Sequence, residues 1–169
     1  MNLLEAKNLY KSFGNINAVS DISISLNVGE VIGFLGPNGA GKSTTMKMLT
    51  GFLEADSGSI EIKKIDLSKD PINAKSIIGY LPEGAPSYSD MTVKSFLYFV
   101  GKMRGLKDEL LEKRLEIMLK DINLSDVQNQ IIETLSKGYK RRVGIAQALI
   151  HDPDTVSYTH LRAHETNSH

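Results

Sequence analysis

Nine residues, GPNGAGKST from Gly36 to Thr44, place three glycines, a lysine and two hydroxyls in one short stretch. Gly36, Gly41, Lys42 and Ser43 satisfy the spacing G-x-x-x-x-G-K-[ST], with Pro37, Asn38, Gly39 and Ala40 as the variable span. That pattern suits triphosphate binding. Glycines let successive backbone N–H groups converge on phosphate oxygens, and a helix opening at Ser43 adds its positive dipole end. Lys42 is expected to reach the β- and γ-phosphates, Ser43 to ligate Mg²⁺ and Thr44 to donate to the α-phosphate. A glycine-rich turn that binds nothing is the other reading of the stretch alone. Its setting favours phosphate, because it follows the apolar run VIGFL and precedes the helical STTMKMLTGFL.

The elements that must position this loop follow from periodicity. Before it, Leu4, Ala6 and Leu9, then Ile22, Ile24 and Leu26, alternate loosely as in half-buried strands. Gly29-Glu30 reads as a turn into VIGFL (Val31 to Leu35), which predicts a fully buried parallel strand. After it, the helix stops near Gly51, Ser57 to Lys63 reads as a short strand, and Pro71 suits the first turn of another helix. IIGYL, ended by Pro82, is a further buried strand. The signal is then helical from Thr92 to Leu119. Val93, Phe96, Leu97 and Val100 share a face, and Leu111, Leu115 and Met118 are buried by a second helix from about Asp108. Ser136 is the expected N-cap of a helix through Ile150, ended by Asp152-Pro153.

Composition removes several classes. Lysine plus arginine equals aspartate plus glutamate at 20 each, so there is no basic surplus of the kind a nucleic-acid partner calls for. The chain has no cysteine, which excludes disulfides and thiolate metal sites. MNLLEAKNLYKSF carries an acid and polar groups where a signal peptide needs an apolar run. The longest apolar runs fall far short of the ~20 residues of a membrane span, so a cytoplasmic location is expected.

VIGFLGPNGAGKSTTMKMLTGFLEADSGSIEI, IIGYLPE and LSKGYKRRVGIAQALIHDPD, in that order, resemble the ATP-binding cassette (ABC) family. Within it the chain is similar to the ATPase subunits of bacterial exporters that pair with a separate membrane protein. The resemblance runs from about Leu3 to Asp154. It implies an α/β P-loop NTPase: a RecA-like core with an antiparallel β subdomain (about 1–82), a helical insert (about 83–134) and a return helix (135–150). It also implies ATP and Mg²⁺ as ligands, a head-to-tail homodimer, a membrane permease partner, and a peripheral place on the inner face of the bacterial plasma membrane.

The same resemblance assigns residues. Phe13, in KSFG, becomes the aromatic that stacks on adenine; read by itself it is more readily a core phenylalanine on a strand. Glu83 stands where most of the family carries a glutamine that touches Mg²⁺ and the attacking water. A carboxylate also suits Mg²⁺, and a solvent-facing turn residue is the alternative. In LSKGYKRR (Leu135 to Arg142) Lys137 replaces the usual glycine and Tyr139 the usual glutamine, while Ser136 and Gly138 remain. A hydroxyl, a small residue and a helix N-terminus make an anion site, which in the family closes over the γ-phosphate held by the other subunit. Lys137 leaves two options open, phosphate binding or plain solvation.

After HDPD the family pattern calls for a buried strand ending in Asp-Glu and, later, a histidine that contacts the γ-phosphate. TVSYTHLRAHETNSH offers no apolar run of four, so no catalytic residue is assigned. Val156 to Thr166 resembles one translated frame of a widely used transposase sequencing adapter. Residues 155–169 are therefore expected to be a non-native tail on a domain truncated before its catalytic strand, with an incomplete central sheet and no ATP turnover. His160 and His164, at helical metal-pair spacing, belong to that tail. Two other functions stay open: a soluble cassette protein acting on ribosomes or DNA, and a truncated product without function.

Overall fold

The computed structural model describes residues 2–81 and 88–158. Glu83, Pro82, His160 and His164 lie outside the described residues. The described residues form two compact units, 2–79 with Asp152–Ser157, and 80–151 with Tyr158.

In the first unit β1 (Asn2–Phe13) and β2 (Ile16–Asn27) make an antiparallel hairpin. β3 (Ser57–Ile62) pairs with the other edge of β1, and β4 (Ile65–Asp66) follows, giving the order β2-β1-β3-β4. The pairs Leu4↔Ile62 and Ala6↔Ile60 set apolar residues opposite each other. Leu9 is out of phase with Leu4 and Ala6, and the chain corrects this with a bulge. The register shifts between Ala6 and Leu9, and Asn8 takes a φ of +49°. Its side chain donates to Asp21 Oδ1 at 2.7 Å, and its N–H donates to Ser23 Oγ at 2.9 Å. The extra residue turns Leu9 back into the core, where it is fully buried. Helix α1 (Lys42–Leu49) adds Met48 and Leu49 to this core. Burial of side chains such as Leu9 and Met48 is worth about 1.5–3 kcal/mol each. Helix α2 (Pro71–Ser76) opens as expected with Pro71 in its first turn, and the structure adds Asp70 as N-cap, accepting from the Asn73 N–H.

The run VIGFL is a correction. Residues 31–37 have no regular structure, and Val31 and Leu35 are 94% and 96% exposed. A parallel strand depends on ladder partners along its edges and on cover over both faces. Here β5 (Ile78–Leu81) pairs with β6 (Thr155–Tyr158) in a sheet of two strands, and 31–35 joins neither sheet. An open cavity of about 390 Å³ lies between Val31, Ile32 and Phe34 on one side and Ile78 and Thr155–Ser157 on the other. The central sheet is incomplete. β6 is built from the first four residues after Asp154, and the Asp154 N–H donates to Ile77 O at 3.0 Å.

The second unit is helical. α3 (Val93–Met103), capped by Thr92, packs against α4 (Asp108–Asp121) and α5 (Lys137–Leu149), with short 3₁₀ turns at Ser125–Val127 and Ile132–Thr134. Val93, Phe96, Leu97, Leu111, Leu115 and Met118 are buried together, the faces that the spacing predicts. Arg114 on α4 reaches the far end of α5, donating Nε to Ile150 O at 3.1 Å and Nη2 to Leu149 O at 2.9 Å.

Candidate nucleotide site

The loop turns where its glycines permit. Gly36, Gly39 and Gly41 have φ of +149°, +83° and +79°. Gly41 is also the point of closest approach. A Cβ there would stand 2.3 Å from the Ala18 carbonyl oxygen and 3.3 Å from Val19 Cγ2, so only glycine lets the loop rest on β2. The Ala40 N–H donates to Pro37 O at 3.3 Å, closing the turn over Asn38 and Gly39.

Helix α1 starts directly from Gly41. The Thr45 N–H and hydroxyl both donate to Gly41 O, at 2.8 and 3.0 Å. No side chain caps this end and its first turn carries no acidic residue. The leading N–H groups, which include those of Ser43 and Thr44, therefore have no intrahelical partner, and the positive dipole end is not neutralised by a carboxylate. The Lys42 ammonium folds over the loop and donates to Gly36 O at 2.7 Å and Pro37 O at 2.6 Å. Gly36 through Ala40 are exposed, and Gly41 through Thr44 are half-buried. The stretch sets an exposed glycine-rich backbone and a helix end without a side-chain cap beside one cation, chemistry that fits a polyphosphate. The half-buried Ser43 hydroxyl is an oxygen donor of the kind Mg²⁺ takes. Among the described residues no group of three His, Cys, Asp or Glu side chains could hold a metal.

Phe13 ends β1 and pairs with Ile16, while Lys11 pairs with Val19. The hairpin that carries Phe13 is thus the one on which Gly41 rests, and both belong to the first unit. Its ring is 49% exposed, so it is not a core phenylalanine, and the Lys11 ammonium lies 5.8 Å from the ring centroid.

Ser136 and Gly138 belong to the second unit. Ser136 N-caps α5, accepting from the Tyr139 N–H at 3.4 Å. A Cβ on Gly138 would meet only Ser136 Oγ, at 3.9 Å, so the chain itself leaves the space above this helix end open. Lys137 is exposed, and the Arg142 guanidinium covers the Tyr139 ring at 5.1 Å. The contacts of Lys11 with Asp56, and of Ala18 with Gly41, were not legible in sequence. Each joins segments more than twenty residues apart, and no local spacing encodes it.

Known proteins are similar to this chain in sequence and fold. The family described as ABC transporter matches residues 19–157. The linearmycin resistance ATP-binding protein LnrL of Bacillus subtilis is 41% identical over 91% of this chain and 50% of its own length. The lipopolysaccharide export system ATP-binding protein LptB of Haemophilus influenzae is 38% identical over 92% and 66%. A solved ATP-binding subunit of an ABC transporter superposes with a TM-score of 0.83 at 30% identity, over 92% of this chain and 65% of that one. The ADP conformation of another cassette superposes at 0.76 with 27% identity. The chain spans about half to two thirds of the length of these relatives. With its loop, helix N-terminus and matched residues 19–157, this chain belongs to the ABC transporter ATP-binding family, whose domains are nucleotide-binding P-loop NTPases.

Proposed function

We propose that this chain is the ATP-binding part of an exporter, drawing on ATP to drive a separate membrane permease from the cytoplasmic face. The observation that carries the reading is the loop from Gly36 to Thr44, exposed through Ala40, with the Lys42 ammonium on the carbonyls of Gly36 and Pro37, which it can exchange for phosphate. Lys42 and the first-turn N–H groups of α1 hold the β- and γ-phosphates, the Ser43 hydroxyl ligates Mg²⁺, and Phe13 stacks on adenine. Mg²⁺ bound here supplies charge neutralisation of the phosphates. Ser136 and Gly138 of a second copy supply further donors to the γ-phosphate in a head-to-tail dimer. Glu83 serves as a Mg²⁺ and water contact, and the helical insert as the face for the permease.

No helix among the described residues is long and apolar enough to cross a membrane. Pro153 is followed by Asp154 and TVSY, where the family's apolar strand would bring an Asp-Glu pair. Thr155–Tyr158 carry no carboxylate, so β6 does not supply that pair, and what this chain is proposed to do is hold ATP. Calorimetric titration with Mg-ATP tests this. Binding that is weakened roughly 10- to 100-fold in Lys42→Ala, as for a lost charged hydrogen bond, supports the reading. Mg-ATP affinity that is unchanged in Lys42→Ala would refute it.

A further inference from the structure

Asp56 lies in the loop that leads into β3, distant in sequence from every residue assigned above, yet it holds three successive residues of β1. Its N–H donates to Tyr10 O at 2.9 Å. Its Oδ1 accepts from the Lys11 ammonium at 2.6 Å, and its Oδ2 accepts from the Ser12 N–H at 2.7 Å. The reason is geometric. β3 begins at Ser57, which pairs with Tyr10, so beyond Tyr10 the edge of β1 has no strand to continue its ladder. The carboxylate takes the ladder's place for Ser12. On the opposite edge the register of β1 against β2 slips at Leu9/Lys11 and again at Lys11/Ser12, so pairing with β2 does not by itself define this end. Ser12 Oγ then donates to Asn17 Oδ1 at 2.9 Å, extending the chain of bonds to β2.

The consequence falls on Phe13. Lys11 is drawn in by Asp56 until its side chain is only 15% exposed, and its ammonium then stands near one face of the Phe13 ring. At 5.8 Å from the centroid the ammonium is within reach of a cation–π contact on one side of the ring, which leaves the other side for a flat partner.

We infer that Asp56 is a positioning residue for the nucleobase, fixing Lys11 and the Ser12 amide so that the Phe13 ring presents one defined face to adenine. The inference rests on the stacking role proposed for Phe13. The Asp56 carboxyl is held below its usual range, first by the Lys11 hydrogen bond and then by the Ser12 amide, so the clamp is charged at neutral pH.

The test compares Mg-ATP with inorganic tripolyphosphate, which engages the loop but has no base, by titration of the full chain. Asp56→Ala is expected to weaken ATP about 5- to 10-fold, the size of a lost base–aromatic contact, and to leave tripolyphosphate within about twofold. Lys11→Met gives the same split, and Asp56→Asn replaces the alanine variant if that one does not fold. Phe13→Ala alone shows the same loss, and adding Asp56→Ala to it costs nothing more, because both act on one contact. Equal losses for ATP and tripolyphosphate, unchanged ATP affinity, or additive losses in the double variant overturn the inference. Wild-type protein that binds ATP no tighter than tripolyphosphate overturns the stacking of Phe13, and the role of Asp56 with it.

Discussion

The backbone carbonyl of Ala18 faces Gly41 so closely that a Cβ on Gly41 would stand 2.3 Å from the oxygen. One atom of β2 thus decides what residue can end the phosphate loop. The contact is with backbone, which cannot swing aside as a side-chain tip would. Gly41→Ala must move the loop off the sheet, and at φ +79° it carries left-handed strain as well. Destabilisation of about 1–3 kcal/mol is expected, read as a lower midpoint in urea, together with loss of measurable Mg-ATP binding. Gly39→Ala keeps the left-handed strain (φ +83°) but meets nothing within 4 Å, so it should retain weakened binding. Equal behaviour of the two variants would show that the Ala18 contact is unimportant.

Arg114 supplies the cation that the last turn of α5 lacks in its own sequence. It satisfies two terminal carbonyls and complements the negative helix end. Arg114→Ala should cost roughly 1.5–3 kcal/mol, as for hydrogen bonds to a charged group. Hydrogen exchange should quicken in the segment after Leu149 before it quickens in α3. Arg114→Lys restores charge but not the two-nitrogen fork, so it should recover part of the loss.

Asp66 contributes a pH dependence. The Ser68 hydroxyl, then Lys69, then the Ser68 N–H hold its carboxyl at about 2, against an ordinary value of 3.8. A depressed carboxyl contributes stability that is fully present above the unfolded value and is lost as pH falls through the folded one. The melting temperature should therefore decline from about pH 4 towards pH 2. Asp66→Asn should flatten that decline while leaving the melting temperature at pH 7 lower than wild type. An unchanged slope would remove Asp66 from the acid response.

Val31 to Leu35 is an uncharged, β-prone run outside both sheets, almost fully exposed at its two ends. Such a run offers unpaired backbone and apolar side chains to other molecules. With a net formal charge of zero there is little repulsion to oppose association. The protein is expected to form concentration-dependent oligomers in light scattering at neutral pH. Leu35→Lys should reduce them with less than about 0.5 kcal/mol change in stability, since the side chain has no buried contacts to lose. Oligomers that persist unchanged in Leu35→Lys would place the association elsewhere.

Local chemistry determined much of this protein from sequence alone. The phosphate loop was legible because its glycines, lysine and hydroxyl act within nine consecutive residues. The cap at Ser136 and the buried faces of α3 and α4 follow from the same short-range rules. Tertiary structure decided the rest. VIGFL has the composition of a buried strand, but a strand exists only where neighbours offer a ladder, and here none pairs with it. Leu9 reached the core only through a bulge anchored on Asp21 and Ser23. The clamp from Asp56 to Lys11 and the seat of Gly41 on Ala18 join residues 45 and 23 positions apart, and only the folded sheet brings them within bonding distance.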